Sequence, residues 1–216
     1  MGFYFLIQKE GVGCPVGGNG FILLRDLSRE SREHYGLSPW YAGPKRFGGK
    51  LSPFASDLIL MMDDSDRCYD LTRGSRYFYI MSRKVRDILP EFNTGFIDVS
   101  PVRCVNVSGE EVCDRNYFVG STKRIGVDDV CNPMLTRRGG KYGGSILNIG
   151  FKDDFDLDLF DLYDTSGVEF SLVASERLML AFVAAGVKGV DFCPVDGFKL
   201  KTPDESKMLK QRYLPV

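Results

Sequence analysis

Apolar residues fall at Val85, Ile88, Leu89 and Phe92, and again at Leu178, Ala181, Phe182 and Ala185. Both sets follow the i, i+3, i+4, i+7 spacing that gathers four side chains on one face of a helix. The surroundings repeat as well: Ser82 matches Ser175, Asp98 matches Asp191 and Pro101-Val102 matches Pro194-Val195, all at an offset of 93 residues. A serine ahead of such a run can cap the helix by accepting from its free backbone N–H groups. Pro90 stops or kinks the first helix at Leu89, and Gly186 sits where the second needs a C′ residue. The pattern therefore predicts two similar strand-helix-strand units. One runs from Tyr77–Met81 through a reversal at Gly95 into Phe96–Val99, the other from Val168–Ala174 into Val187–Phe192.

Elsewhere the pattern is strand-like and short. Phe3 to Gln8 reads as an edge or opening strand, and Phe21 to Leu24 is a brief apolar run. Phe54 to Met62 is a buried strand or a short helix. Val102 to Val107 and Tyr117 to Val119 read as a hairpin with a loose loop around Ser108-Gly109-Glu110. Two stretches carry too many Gly and Pro residues for a regular period: 26–50, where Trp40 and Tyr41 are expected to anchor the chain, and 132–150. Strands outnumber helices, so the expected class is α+β, with a twisted, largely antiparallel sheet and a few short helices. An N-terminal segment, 1–54, and a domain over 55–216 are expected to form one continuous globular unit, with a polar, basic tail from Asp196 onward.

At 216 residues, 44% hydrophobic and 26% charged, the chain has ordinary globular composition, and a net charge of -1 predicts no nucleic-acid binding. No apolar run approaches the roughly 18 residues of a membrane span. Met1 to Glu10 lacks the basic start and full apolar stretch of a secretory signal, so a cytoplasmic protein is expected. Six scattered cysteines show no metal-ligand spacing and are expected to be free thiols.

Catalytic motifs are wanting. His34, the only histidine, lies in a polar stretch. Gly139-Gly140-Lys141-Tyr142-Gly143-Gly144-Ser145 lacks the order of a phosphate loop, and Gly17-Gly18-Asn19-Gly20 does not join a strand to a helix. Lys123, Arg124, Arg137, Arg138 and Lys141 make a local basic excess that reads as a solvated loop. The expectation is no enzyme, with no catalytic, metal-binding or cofactor-binding residues and no cofactor.

The most unusual composition is the acidic, aromatic run at 152–164. Asp154, Asp156 and Asp158 mimic the start of a calcium loop, but Leu159 replaces the required glycine and Thr165 the closing glutamate. The run reads either as a strand or turn with one wet face, or as an acidic surface for a cationic partner. Such surfaces raise association rates and specificity. On the second reading the partner-binding residues are Asp153, Asp154, Asp156, Asp158, Asp161, Tyr163 and Asp164.

Val173-Ala174-Ser175-Glu176-Arg177-Leu178, then Ala184-Ala185-Gly186-Val187-Lys188-Gly189-Val190-Asp191-Phe192 and Pro194-Val195, resemble the C-terminal signature of a bacterial immunity-protein family of polymorphic toxin systems. The first unit and Tyr117-Phe118-Val119 resemble its central segment, so the likeness covers roughly 55–195. It implies a protein that binds and neutralises a cognate toxin, such as a nuclease effector, in interbacterial competition. It supplies no catalytic residues, implies no direct contact with nucleic acid or membrane, and leaves homo-oligomers open. Two other classes fit less of the chain: an enzyme using the glycine-rich loops on a small molecule or nucleotide, and an accessory protein of a secretion or phage-like assembly.

Overall fold

A computed structural model describes residues 2–9, 21–27, 57–62, 68–75, 78–112, 116–132, 137–139, 145–163 and 169–195. The expectations for Trp40, Tyr41, His34 and the tail after Val195 lie outside the described residues.

The fold is mixed α+β. The strands are β1 (Phe3–Gln8), β2 (Ile22–Leu24), β3 (Leu58–Met61), β4 (Leu71–Arg73), β5 (Tyr79–Ser82), β6 (Phe96–Val105), β7 (Tyr117–Thr122), β8 (Arg124–Gly126), β9 (Arg137–Gly139), β10 (Ser145–Asn148), β11 (Leu159–Tyr163), β12 (Glu169–Ser175) and β13 (Val190–Pro194). The helices are α1 (Arg83–Ile88), α2 (Val127–Val130) and α3 (Glu176–Ala184), with a 3-10 turn over Leu89–Glu91 that holds Pro90. Strands form a five-stranded sheet, β13-β1-β12-β11-β8, and a six-stranded sheet, β2-β3-β6-β7-β5-β4. The stretch read as irregular at 132–150 contains the small β9–β10 hairpin. No helix among the described residues is long and apolar enough to cross a membrane.

Both predicted units form, and each is split in the same way. β5 and β6 both pair antiparallel with β7 and so run parallel to each other on either side of it. β12 and β13 flank β1 in the same manner. The equivalence extends to single residues. Ser82 faces Tyr117 across β5 and β7, as Ser175 faces Phe3 across β12 and β1. Arg83 N–H donates to Asn116 carbonyl at 3.2 Å, and its counterpart Glu176 N–H donates to Gly2 carbonyl at 2.8 Å. Of the two readings, edge or opening strand, β1 is the first described strand and is not an edge: it lies inside its sheet and completes the second unit as β7 completes the first.

The units share one core. Leu71, Tyr79, Met81, Val85 and Leu89 from the first meet Leu6, Leu159, Leu172, Ala174, Leu178 and Phe182, all buried. Val85 and Leu89, like Leu178 and Phe182, belong to the apolar stripes of the two helices, which accounts for the 3.6-residue period. Gly95 departs from expectation. Its φ is not positive, so it is not a left-handed turn residue. It is small because a Cβ there would stand 3.0 Å from the Leu159 carbonyl of the other sheet. The four described cysteines, Cys68, Cys104, Cys131 and Cys193, carry free thiols.

Candidate functional site

Two of the aspartates in the acidic run are structural. Asp158 is 0% exposed and Asp161 5% exposed, which corrects their assignment to a partner surface. A buried carboxylate needs hydrogen bonds or a counter-charge, and both have them. Asp158 immediately precedes β11 and accepts from Ser175 Oγ at 2.5 Å, from Asn93 N–H at 2.9 Å and from the Arg177 guanidinium. Asp161 accepts from the Tyr79 hydroxyl and from Thr122 Oγ1, the latter at 2.6 Å, and so ties the five-stranded sheet to the six-stranded one. Burial, and then the charge of Asp161, hold the Tyr79 hydroxyl well above its ordinary range, so it stays a donor.

The Asp158 cluster has a twin. Asp70 immediately precedes β4 and accepts from Ser82 Oγ at 2.8 Å, from Lys84 Nζ at 2.9 Å and from Lys188 N–H at 2.9 Å. Lys84 and Arg177 are again 93 residues apart. Each aspartate accepts from one unit's serine and takes its backbone donor from the loop after the other unit's helix. The return bonds run from Asp70 N–H to Lys188 carbonyl at 2.7 Å and from Asp158 N–H to Asn93 carbonyl at 2.6 Å. The result is a reciprocal latch. Ser82, expected only as a cap, makes no side-chain cap bond and donates to Asp70, whereas Ser175 donates to Asp158 and also accepts from Leu178 N–H at 3.3 Å.

Burial raises the Asp70 and Asp158 carboxyls, but the hydrogen bonds and cations around them outweigh it and leave both below the ordinary 3.8. A depressed folded-state value contributes stability that is present above the unfolded value and lost as pH falls through the folded one. Thermal melts should therefore show this contribution intact at neutral pH and eroding as the pH falls toward and below the ordinary value of 3.8. In the double variant Asp70→Asn, Asp158→Asn that part of the acid dependence should disappear. Equal acid sensitivity in the variant would show that other carboxyls control it.

The exposed remainder of the run is Asp153, Asp154 and Asp156. Tyr163 is placed in β11, and Asp164 lies outside the described residues. The loop is anchored from beneath: Phe151, Phe155 and Leu157 pack against the core formed around Phe3 and Phe160. Ring centroids lie 4.2 Å apart for Phe3–Phe151 and 4.9 Å for Phe155–Phe160. Asn93 Nδ2 donates to Asp156 at 3.1 Å.

The structure adds two carboxylates that the sequence reading passed over. Asp128 and Asp129 are exposed on α2, and the two segments are bonded to each other. Lys152 N–H donates to Val130 carbonyl at 2.9 Å, and Lys152 Nζ donates to Asp129 carbonyl at 2.6 Å. Nothing in local spacing signals this meeting, because the two segments are about twenty residues apart in the chain. These bonds join the two segments that carry five exposed aspartates, with the exposed Lys152 between them. No protein-family model matches the chain, and no curated protein matches it either.

Proposed function

We propose that this protein is an immunity protein that binds and neutralises a cognate bacterial toxin inside the producing cell, and that the surface of Asp128, Asp129, Asp153, Asp154 and Asp156 is part of the contact. The observation that supports this most is the combination of charge and anchoring. A carboxylate-rich loop seated on four stacked and edge-on phenylalanines presents its charge with little ordering left for the moment of binding. A nuclease effector, whose nucleic-acid groove is cationic, is the toxin class that such a surface complements. The resemblance of the two strand-helix-strand units to the immunity family supports the same reading.

If a neighbouring gene encodes the toxin, co-expression with that product should protect cells and yield a stable complex. Asp153→Lys, Asp154→Lys and Asp156→Lys together should leave the far-ultraviolet spectrum unchanged and cut the low-salt association rate by about tenfold or more. The wild-type rate should fall steeply with added salt and the variant's should not. An unaltered rate would remove this surface from the contact; failure to protect would remove the function.

A further inference from the structure

The pairing registers allow the two units to be compared residue by residue. Tyr79 and Leu172 are equivalent, each three residues before its paired serine. On the neighbouring strands, Arg73 of β4 faces Tyr79 as Asp161 of β11 faces Leu172. Gln8 of β1, which faces Val190, matches Thr122 of β7, which faces Phe96. At one of these places the chain closes on itself: Tyr79 reaches Asp161 from the other sheet, and Thr122 adds a second hydroxyl. At the other it does not. Arg73, Gln8, Leu172 and Val190, with Leu6, Leu71 and Tyr79, line a partly enclosed cavity of about 230 Å³ between the two sheets.

The polarity of the cavity is the reverse of its twin. Arg73 brings a guanidinium where the twin has the Asp161 carboxylate, and Leu172, which stands where Tyr79 does, has no atom to accept a hydrogen bond. Among the described lining residues Arg73 is the only charged one. Its charge is not cancelled from nearby. The charges that act on the Tyr79 hydroxyl are one acid, Asp161, and two cations, Arg73 and Arg124. Lys9 and Asp191, next along from Gln8 and Val190, pair with each other at 3.2 Å, and Asp70, next to Leu71, pairs with Lys84 at 2.9 Å. Arg73 Nε donates to the Ser75 carbonyl at 3.2 Å, which steadies the side chain, and the five N–H donors of a guanidinium let it hold a carboxylate as well.

The other walls are mainly aliphatic, from Leu6, Leu71, Leu172 and Val190. Apolar walls with a few convergent polar groups are the usual form of a small-molecule site, and this one falls below the roughly 300 Å³ at which drug-sized sites begin. We infer that the cavity binds a small apolar monocarboxylate, its carboxylate on Arg73 and Gln8 and its hydrocarbon body against the four aliphatic side chains. The ligand gives Arg73 the polar partner that Tyr79 gives Asp161. Inorganic phosphate would satisfy the cation but leave the aliphatic walls unfilled. The site shares no residue with the acidic surface and does not depend on the toxin reading.

The test titrates the full chain with hexanoate, hexanamide and hexylamine while amide resonances are followed. Hexanoate should bind saturably with a Kd of about 1 mM or lower and shift Gln8, Arg73, Leu172 and Val190. Hexanamide should bind at least about tenfold more weakly, the least expected for loss of a charge-assisted hydrogen bond, and hexylamine should not bind. Arg73→Gln should bring hexanoate down to the affinity of hexanamide and leave hexanamide unchanged. Leu172→Phe should fill the cavity and weaken both; if that variant fails to fold, Arg73→Gln, at a half-buried position, still decides. No saturable binding of hexanoate, equal binding of hexanoate and hexanamide, a preference that survives Arg73→Gln, or shifts confined to other surfaces would overturn the inference.

Discussion

Replacing Asp158 by alanine should cost about 3 kcal/mol of unfolding free energy, because buried donors aimed at a carboxylate lose about 1–3 kcal/mol each when left unmade. The donors at stake are Ser175 Oγ and Asn93 N–H. Arg177, whose side chain is largely exposed, can turn to water and contributes little to the loss. In a chain of this size the loss corresponds to a fall in melting temperature of about 6–12 °C. Asp158→Asn keeps an acceptor and should cost less than alanine. Asp154→Asn, on the exposed loop, should stay within about 0.5 kcal/mol of wild type. Urea denaturation of the three variants checks the order. If Asp158→Ala and Asp154→Asn unfold together, the Asp158 half of the latch carries no stability.

That contrast shows what could be read from the sequence and what could not. The two helices were legible because their signals are local: a serine ahead of an apolar 3.6-residue period, Pro90 after the first, and Gly186 after the second. Strands β1, β5 and β12 were legible as apolar runs, and β3 was left between strand and helix because nine apolar-rich residues suit either. The position of β1 was hidden. Its partner β13 lies some 180 residues away, and nothing in Phe3–Gln8 states that two parallel strands will close around it.

The acidic run misled for the same reason. Six aspartates among aromatics look wet, yet the burial of Asp158 and Asp161 is set by Ser175, Arg177, Asn93, Tyr79 and Thr122. One clue was present: Lys84 and Arg177 sit two residues after the paired serines. A repeated serine and cation implies a repeated anion, and Asp70 and Asp158 each stand directly before a strand that opens on leucine.

The second large effect lies at the hinge of the same latch. Gly186 and Gly189 flank Lys188, whose N–H and carbonyl both bond Asp70. Both glycines have positive φ, +60° and +96°, where side chains are disfavoured. Only Gly189 is also crowded: a Cβ would stand 2.7 Å from both the Leu71 carbonyl and Tyr69 Cβ, whereas at Gly186 nothing lies within 4 Å. Gly186→Ala should therefore cost about 1 kcal/mol, the conformational term alone. Gly189→Ala must also push Leu71 or Tyr69 away, and displacing packed backbone and core adds about 1–3 kcal/mol more. Because Tyr69 is fully buried and accepts the Tyr117 hydroxyl on its carbonyl at 2.9 Å, that displacement reaches the core of the six-stranded sheet. Denaturation midpoints should rank wild type, Gly186→Ala, Gly189→Ala, and amide exchange at Asp70 and Leu71 should speed only in the last. Equal midpoints for the two variants would mean that the loop yields freely, and the latch would then be a consequence of the fold and not one of its supports.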